Sequence, residues 1–390
     1  MPSRLIYLDN ASTSHPKPDV LWQSTRDYLT GIGVSPNRGS YGQSRKANRI
    51  VEDARTSLAR LINAPDPKRI AFTANATHAL NTAIQGVLSV GDHVVTTNIE
   101  HNSVLRPLET ASRGGRGTYE VVSCGPEGTF DLDAFRDALR RGCRLLIASH
   151  ASNVTGVVTP VAELAELAHE HDALFLLDAS QSAGLLDIDV EALQVDLVAF
   201  TGHKGLYGPS GTGALFVRDP SVVRPLYVGG SGVNSQSLRH PATMPEKFEA
   251  GTVNYLGIHG LGSVVGMLGP DVLRARRGRL TVLTDYCLNR LRAIDGITLY
   301  HAEPGIQRVP VISLNVDGFY PSEVCAILDD EFSIMTRAGL HCAPLIHESL
   351  GTMPQGTLRV SLGAGSTRQD VDALTEALTS IRDRSVAAFA

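Results

Sequence analysis

The sequence predicts an α/β protein whose central sheet is mainly parallel and covered by helices on both faces. Short apolar runs alternate with helical patterns between about residues 70 and 217. The runs are apolar throughout instead of alternating with polar residues, which is typical of strands buried on both faces of a parallel sheet. We predict strands at 69–73, 93–96, 144–148, 174–177, 195–200 and 213–217, with helices such as 79–88 and 161–169 between them.

The length of the chain indicates two domains, because its 390 residues exceed twice the usual size of one domain. Residues 228–257 are rich in Gly, Ser and Asn, and we predict a long loop there. A helical stretch at roughly 259–294 follows, and then an α+β pattern with strands at 309–314 and 358–362. We therefore predict a large domain at 15–258 and a smaller α+β domain formed by 1–14 and 259–390.

The composition is that of a soluble protein with an apolar core, since 43% of the residues are hydrophobic and 19% are charged. The net charge of −5 gives no indication of binding to nucleic acid or to a membrane surface. No apolar run approaches the roughly 20 residues that span a bilayer, and the first residues lack the apolar core of a secretion signal. We therefore expect a cytoplasmic protein.

The five cysteines are widely spaced and form no C-x-x-C pair. Their odd number and their spacing argue against a disulfide framework and against a structural zinc site, so we expect no metal. Four of them, at 124, 143, 287 and 325, fall at predicted strand edges or in amphipathic helices, where a buried thiol is the ordinary expectation. Cys342 lies in a different context, which is described below.

Four polar segments each follow a predicted strand, which is where open α/β sheets usually bind their ligands. In the first, T-A-N-A-T-H at 73–78, small and hydroxyl residues begin a helix. The free backbone N–H groups of such a helix start, together with the hydroxyl of Thr77, are suited to binding a phosphate. An ordinary helix N-cap explains the same residues equally well.

In the second segment, L-D-A-S-Q, Asp178 directly follows a buried strand and Gln181 comes three residues later. A carboxylate in such a place is costly unless it is paired. Asp178 could pair with the protonated nitrogen of a pyridine ring in a cofactor, and Gln181 could donate to the phenolate of that ring. The alternative is that Asp178 caps a helix.

Lys204 and His101 define the other two segments. Lys204, in T-G-H-K-G, follows a buried strand and is flanked by glycines, so a solvated surface charge explains it poorly. A lysine that forms a Schiff base needs a partly desolvated site that lowers its pKa, and Thr201 and His203 beside it could contact a phosphate. His101, in N-I-E-H-N-S, could stack on a cofactor and move protons. Either residue could instead be an ordinary loop residue.

Taken together, and with Y-L-D-N-A-S-T at 7–13, these segments resemble the class V aminotransferase family of enzymes that use pyridoxal 5'-phosphate (PLP), and within it the cysteine desulfurases. The resemblance covers nearly the whole chain and implies the type I fold of PLP-dependent transferases. It implies Lys204 as the Schiff-base lysine, Asp178 on the pyridine nitrogen and Gln181 on the phenolate. The other cofactor contacts that it implies are His101 on the ring face, Asn153 near the ring and the substrate, and Ala76, Thr77, Thr201 and His203 at the phosphate.

Two further matches concern the partner subunit and the substrate. E-A-G-T at 249–252 matches a family segment that crosses a homodimer, so the resemblance implies that Thr252 reaches the phosphate of the partner's cofactor. Arg359, in L-R-V-S, matches the arginine that binds the substrate carboxylate, and a bidentate guanidinium suits that planar group. Arg337 could assist it. The alternative for both arginines is a surface position.

The segment T-R-A-G-L-H-C-A-P at 336–344 selects a reaction within the family. It resembles the R-x-G-x-H-C-A loop of the group II, SUF-type cysteine desulfurases, whose cysteine takes sulfur from L-cysteine as a persulfide and leaves alanine. The longer, Ser-rich loop of group I enzymes is absent. A thiolate at Cys342, favoured by a nearby cation or His, would be the nucleophile. An incidental thiol is the alternative, and a zinc site with His341 and His347 has too few ligands at unsuitable spacing.

One departure from the family pattern follows Arg359, where G-A-G-S-T-R at 363–368 replaces the usual Asn-Thr pair. It leaves room for a specialised sulfur donor or for a selenocysteine lyase. A C–S lyase or aminotransferase that forms no persulfide is another alternative, as is a catalytically idle scaffold or sulfur-relay partner. The leading expectation is an enzyme that takes L-cysteine and passes sulfur to an acceptor protein or small-molecule pathway.

Overall fold

The computed structural model describes residues 5–36, 39, 41–125, 128–300 and 303–389. The remaining positions belong partly to the predicted large domain (37–38, 40 and 126–127) and partly to the predicted small domain (1–4, 301–302 and 390), and they lie outside the described residues. The described chain begins with a short strand, β1 (Ile6–Tyr7), and a helix, α1 (Asp19–Asp27).

A seven-stranded sheet follows, and its strands are ordered β2-β8-β7-β6-β5-β3-β4 across the sheet. Its members are β2 (Ile70–Thr73), β3 (Asp92–Thr97), β4 (Gly117–Val122), β5 (Leu145–Ser149), β6 (Leu174–Asp178), β7 (Leu197–Thr201) and β8 (Gly213–Val217). β8 runs antiparallel to both of its neighbours, β2 and β7, and the other pairs of neighbouring strands among those described are parallel. The predicted mainly parallel sheet is confirmed, and the bounds of the six predicted strands agree within two residues.

The strand that was not predicted, β4, lies at the edge of the sheet beside β3. Its residues, G-T-Y-E-V-V, are mostly half-buried. An edge strand has a neighbour on one side only and needs no continuous apolar run. The pattern that identifies the central strands therefore does not detect it.

Helices cover both faces of this sheet, as predicted. They are α2 (Gly42–Leu61), α3 (Ala76–Val87), α4 (Asn102–Arg113), α5 (Leu132–Leu139), α6 (Val161–Glu170) and α7 (Tyr255–Val265). Leu146 of β5 belongs to one core with Leu58 of α2 and Leu164 of α6, whereas its neighbour Ile147 belongs to another core with Leu80 of α3. Successive side chains of a strand point to opposite faces, so one buried strand contributes to both cores.

The C-terminal part is built on a four-stranded antiparallel sheet in the order β12-β13-β10-β9. Its elements are α8 (Pro270–Arg292), β9 (Ile297–Tyr300), β10 (Val311–Val316), α9 (Pro321–Phe332), β11 (Ile334–Met335), β12 (Arg337–Gly339), α10 (Pro344–Ser349), β13 (Thr357–Ser361) and α11 (Arg368–Phe389). β1 pairs in parallel with β11, and Leu8 joins the core that contains Leu358 and Leu374. The N-terminal segment thus packs against the C-terminal part of the chain.

The helical stretch predicted at 259–294 is two helices, α7 and α8, which meet at an angle of 80°. Pro270 begins α8, because proline is well tolerated at the first position of a helix but not in its interior. Leu261 of α7 belongs to the core of the seven-stranded sheet, so α7 crosses the predicted division at 258/259 while packing with the large sheet. Residues 223–254 form neither helix nor strand, in agreement with the predicted loop.

No single helix in the described part of the chain is long and apolar enough to cross a membrane. The bent pair of α7 and α8 meets that criterion by length and composition only.

Candidate active site

A cavity of about 230 Å³ lies at the carboxyl ends of the parallel strands. Residues that follow β2, β3, β5, β6 and β7 line it together, because the carboxyl ends of parallel strands meet at one edge of a sheet. Of the predicted site residues, only Thr252 is not part of the lining. The others are all present: Ala76, Thr77, His101, Asn153, Asp178, Gln181, Thr201, His203, Lys204, Arg337, Cys342 and Arg359.

Asp178 is the last residue of β6 and is buried. Its Oδ1 accepts hydrogen bonds from the backbone N–H of Ser180, at 2.9 Å, and from the Ser180 hydroxyl. Burial raises the pKa of Asp178, while the Ser180 hydrogen bonds and the charge of Lys204 lower it. The hydrogen bonds from described residues all reach Oδ1, so Oδ2 can accept one from a cationic ligand atom. Nearby, Gln181 donates from Nε2 to the carbonyl of Ala11 at 3.1 Å.

Lys204 lies in the turn after β7. Burial lowers its pKa to about 8; Asp178 opposes this change, and Arg359 and Arg337 add to it. A much larger fraction of Nζ is therefore uncharged near neutral pH than in an exposed lysine. The uncharged amine is the form that can attack an aldehyde, so the site prepares this lysine for covalent chemistry.

The peptide group that precedes Lys204 is held by the N-terminal segment. The carbonyl oxygen of His203 accepts hydrogen bonds from the backbone N–H of Ser14 at 3.0 Å, the hydroxyl of Thr13 at 3.1 Å and Nζ of Lys17 at 2.9 Å. Several donors on one carbonyl fix its direction. Residues that are nearly 200 positions away in the sequence therefore orient the backbone at Lys204.

His101 caps the start of α4 through its side chain. Its Nδ1 accepts a hydrogen bond from the backbone N–H of Ser103 at 3.0 Å, so in the neutral ring the proton is on Nε2. Burial lowers the pKa of His101 to about 4, and the nearby Lys204 and Arg337 contribute in the same direction. The imidazole is thus neutral at neutral pH and fixed in orientation, as a ring that stacks on a flat ligand should be.

One end of the cavity has the features of an anion site. Ala76 and Thr77 are in the first turn of α3, where backbone N–H groups favour negative charge, and the Thr77 hydroxyl is 2.7 Å from that of Ser103. Thr201 donates to the carbonyl of Thr212 at 3.3 Å. The Nδ1 atom of His203 is buried and has no hydrogen-bond partner among the described residues. A buried polar atom without a partner is uncommon, and one that borders a cavity can bind a polar atom of a ligand.

Cys342 is exposed and lies in a short connection between β12 and α10. Both His341 and Cys342 have left-handed backbone conformations, with φ of 49° and 59°. Such residues cost of order 1 kcal/mol or more each and persist only where the surroundings hold them. The carbonyl of Cys342 accepts from the backbone N–H of Asn102 at 2.7 Å, and that of His341 accepts from Nδ2 of Asn153 at 2.7 Å. The cysteine is therefore presented by an anchored turn.

Arg359 and Arg337 occupy paired positions on neighbouring strands β13 and β12. The guanidinium of Arg359 is almost fully buried, and its Nη2 donates to Oδ1 of Asp9 at 2.7 Å and to Oγ of Ser12 at 2.8 Å. Arg337 donates to the same Ser12 oxygen at 2.8 Å. Nε of Arg359 is buried without a partner among the described residues. Two guanidinium groups against one carboxylate leave a positive charge that suits an anionic substrate group.

Glu100 directly precedes His101, which lines the cavity, and is fully buried. Its Oε1 accepts from the Thr97 hydroxyl and from the backbone N–H of Ser149, each at 2.7 Å, and its Oε2 accepts from the Ser149 hydroxyl at 2.8 Å. Burial raises the pKa of Glu100 to about 7, against the effect of these hydrogen bonds. Ser149 pairs with Asp178 across β5 and β6, so Glu100 supports the strand that neighbours Asp178.

Sequence reasoning gave no role to Glu100, Asp9 or Ser12. Glu100 carried a usable signal, since it follows a buried strand in the same way as Asp178 and immediately precedes His101. Asp9 and Ser12 lie in the Y-L-D-N-A-S-T segment, which was used only for its resemblance to a family. Their contact with Arg359 joins residues about 350 positions apart, and no local pattern reveals such a contact.

Thr252, the predicted residue that does not line the cavity, is exposed in the loop before α7. Within the described ranges, no three His, Cys, Asp or Glu side chains are grouped so that they could hold a metal ion.

The chain is similar to known proteins over nearly its whole length. A family model described as Aminotransferase class-V matches residues 6–374. A probable cysteine desulfurase from Halobacterium salinarum is 33% identical over 386 residues, which cover 97% of this chain and 92% of the relative. Another, from Methanothermobacter thermautotrophicus, is 34% identical over 383 residues, which cover 96% and 94%.

Solved structures of cysteine desulfurases have the same overall shape. The apo structure from Thermococcus onnurineus has a TM-score of 0.89 at 31% identity and covers 97% of this chain and 95% of that chain. An S-sulfonic acid form of the Escherichia coli enzyme CsdA has a TM-score of 0.86 at 27% identity, with coverage of 98% and 95%.

Proposed function

Because the chain belongs to the class-V aminotransferase family, we propose that it is a PLP-dependent cysteine desulfurase of the group II, SUF type. It converts L-cysteine to L-alanine and takes the sulfur onto Cys342 as a persulfide. The proposal rests above all on one observation, that the exposed Cys342 and the buried Lys204 line the same cavity. Relatives that are more than 30% identical over nearly the whole chain and are named cysteine desulfurases support the reaction.

The residues of the cavity fit PLP as the cofactor. The start of α3 and the unpartnered Nδ1 of His203 suit its phosphate, and Oδ2 of Asp178 suits its protonated ring nitrogen. Gln181 and Lys204 also line the cavity, where Gln181 would donate to the phenolate and Nζ of Lys204 would bind the aldehyde. Bound there, PLP would supply an electron sink for the substrate carbon.

Lys204 would also serve as the general base. Its Nζ takes the proton from Cα of L-cysteine, for which it must be uncharged, and the lowered pKa favours that form. His101, neutral and held by Ser103, can donate a hydrogen bond from Nε2 to a group in the cavity. Lys204 would therefore carry the proton, and His101 would orient its acceptor.

Cys342 performs the sulfur transfer. Its thiolate attacks the sulfur of the substrate, so that an S–S bond forms on Cys342 and the Cβ–S bond of the substrate breaks. The electron pair of the broken bond stays with the substrate carbon, which is then protonated to give alanine. No external oxidant is needed, because the two-electron oxidation of the sulfur to the persulfide level is matched by the two-electron reduction of the substrate Cβ to a methyl group. Arg359 and Arg337 orient the substrate through its carboxylate.

We also propose a homodimer in which Thr252 contacts the phosphate of the partner's cofactor. The position of Thr252, exposed and outside its own chain's cavity, supports this role. Large apolar side chains in the same loop are also exposed, among them Tyr227, Val228 and Leu238, as is common at protein interfaces. The exposed Cys342 would then deliver sulfur to an acceptor that approaches from solvent.

Mass spectrometry after addition of L-cysteine to the PLP-loaded protein tests the proposal. We expect a sulfur adduct on Cys342 and none on Cys325, a half-buried thiol that serves as the control. Cys342→Ala should abolish both the adduct and alanine formation, whereas Cys325→Ala should retain both. Undiminished alanine formation by Cys342→Ala would contradict the persulfide route, and alanine from L-selenocysteine alone would indicate a selenocysteine lyase. A protein that stays colourless with PLP would contradict PLP-dependent catalysis altogether.

A further inference from the structure

We propose that the buried ion pair of Arg55 and Glu249 is a positioning element for the cofactor phosphate. It joins the strand that leads to Ala76 and Thr77 with the segment that ends at Thr252. One pair therefore orients two phosphate contacts, one for the cavity of its own subunit and one for that of the partner. The inference rests on the proposed PLP-dependent function and on the proposed homodimer.

The pair has the geometry of a strong, specific interaction. Nη1 of Arg55 is 2.7 Å from Oε1 of Glu249, and Nη2 is 3.1 Å from Oε2. The two side chains are only 4% and 12% exposed. The guanidinium also lies over the ring of Phe72, 4.6 Å from its centroid. A bidentate contact of this kind fixes the relative orientation of both side chains as well as their distance.

Both members of the pair also bind the backbone of β2, the edge strand opposite β4. Arg55 donates to the carbonyl of Ile70, and Glu249 accepts from the backbone N–H of Phe72 at 2.7 Å. An edge strand has backbone groups with no neighbouring strand to bind them. The ion pair takes the place of that strand on the outer side of β2.

β2 leads directly into the predicted phosphate site. The strand ends at Thr73, Asn75 caps α3, and Ala76 and Thr77 follow in the first turn of the helix. Ala76 comes four positions after Phe72, and a chain of that length spans at most roughly 14 Å. The hydrogen bond from Phe72 to Glu249 therefore limits how far the start of α3 can move. A shift of β2 would move the first turn of α3 with it.

Glu249 has an equally short connection in the other direction, to Thr252. Three residues span at most about 11 Å. Gly251 lies between them with a φ of 84°, and its backbone N–H donates to the carbonyl of Gly230 at 2.7 Å. The segment from 249 to 252 is therefore held at both its start and its middle. In a chain region without helix or strand, this anchoring gives Thr252 a defined position.

The simpler reading is that the pair only covers the edge of β2 and so stabilises the fold. The two roles differ in what they do to the phosphate. If the pair only stabilises the fold, breaking it weakens the binding of PLP and of its phosphate-free analogue pyridoxal alike. If the pair positions the phosphate contacts, breaking it weakens the binding of PLP more than that of pyridoxal. The ratio of the two dissociation constants therefore separates them.

The experiment measures Kd for PLP and for pyridoxal by absorbance titration of the apo-protein. Glu249→Gln keeps an acceptor for the Phe72 N–H but removes the charge, and we expect the Kd ratio of pyridoxal to PLP to fall at least tenfold. Thr252→Ala should also lower the ratio, and the double variant should lose no more than the more affected single variant, because Glu249→Gln already disturbs the Thr252 contact. Glu331→Gln, which breaks the exposed bidentate pair with Arg384, is the matched control and should leave the ratio unchanged.

Arg55→Lys provides a second test if Glu249→Gln does not fold, since it keeps the positive charge and loses only the bidentate geometry. An unchanged ratio in a folded variant of Arg55 or Glu249 would overturn the inference and leave the proposed function intact. An unchanged ratio in Thr252→Ala would overturn both the inference and the proposed contact of Thr252 across the homodimer, but not the proposed reaction. If the unaltered protein itself binds PLP no more tightly than pyridoxal, the proposed function fails instead. The two failures are thus distinguishable.

Discussion

The backbone N–H of Asn102 donates a hydrogen bond of 2.7 Å to the carbonyl oxygen of Cys342. Asn102 follows His101, whose ring caps the start of α4 through its contact with Ser103. The imidazole and the thiol, which line the same cavity, are therefore anchored through neighbouring backbone positions. A shift of His101 should therefore also displace Cys342, and the reverse.

The first prediction concerns the anchor of the Cys342 turn. Asn153→Ala removes the donor to the carbonyl of His341. We expect persulfide formation to slow by roughly ten- to a hundredfold, because a displacement of about 1 Å at a reacting group has effects of that size. Single-turnover mass spectrometry measures the rate, and the absorbance of bound PLP confirms loading. Asn289→Ala, on the exposed face of α8, is the control, and equal rates in both variants would contradict the anchoring role.

The second prediction follows from the pKa of Lys204. Burial lowers it from 10.5 to about 8, so the uncharged amine becomes abundant as pH rises through 8. The rate of PLP uptake by the apo-protein should rise with pH and level off above about 8, which stopped-flow absorbance can follow. Asp178 opposes the lowering, so Asp178→Asn should move the midpoint to lower pH. A midpoint near 10.5 would show that the amine is not desolvated.

A third prediction separates the two arginines. A lysine cannot reproduce the bidentate contact of a guanidinium with a carboxylate. Arg359→Lys should raise KM for L-cysteine by roughly ten- to a hundredfold, because the free energy of one hydrogen bond to a charged group corresponds to a change of that size in binding. The change in kcat should be smaller. Arg337→Lys, which alters the more exposed partner on β12, should have a smaller effect on KM. The reverse order in steady-state kinetics would assign the substrate carboxylate to Arg337.

The fourth prediction concerns stability and pH. Burial raises the pKa of Glu100 from 4.5 to about 7, so the folded protein holds a proton there that the unfolded chain releases above pH 4.5. The contribution of this group is fully present below pH 4.5 and is lost as pH rises through 7.

Relative to Glu100→Gln, the unaltered apo-protein should therefore lose up to about 3 kcal/mol of unfolding free energy between pH 4.5 and 8. Urea unfolding of both proteins across this range measures the difference. The exposed Glu376→Gln on α11 should show no such trend. A constant difference between the unaltered protein and Glu100→Gln would mean that Glu100 does not titrate in this window.

The fold could be predicted where burial leaves a pattern in the sequence. The strands that are buried on both faces appear as continuous apolar runs, and the predicted bounds agree closely with the central strands β3, β5, β6, β7 and β8 and with the buried edge strand β2. The edge strand β4 is half-buried, and β1, β11 and β12 are only two or three residues long. Their existence depends on pairing with distant strands, which one sequence cannot reveal.

The candidate site divides in the same way. Lys204, Asp178 and His101 each lie shortly after a predicted strand, and parallel strands bring such residues together without further information. The contacts that orient them come from elsewhere in the chain. Thr13, Ser14 and Lys17 reach the carbonyl of His203, and Asp9 reaches Arg359, through hydrogen bonds that depend on packing between the two ends of the sequence.

The N-terminal segment has a practical consequence for handling the protein. β1 is bound to β11 of the C-terminal part, whereas Thr13, Ser14 and Lys17 are bound to the peptide before Lys204. A protease that cuts between residues 8 and 13 would break the chain between these two attachments. The seven-stranded and four-stranded sheets would stay intact. The nicked protein would keep its secondary structure, yet Thr13, Ser14 and Lys17 would no longer be linked to β1 and would hold the peptide before Lys204 less firmly.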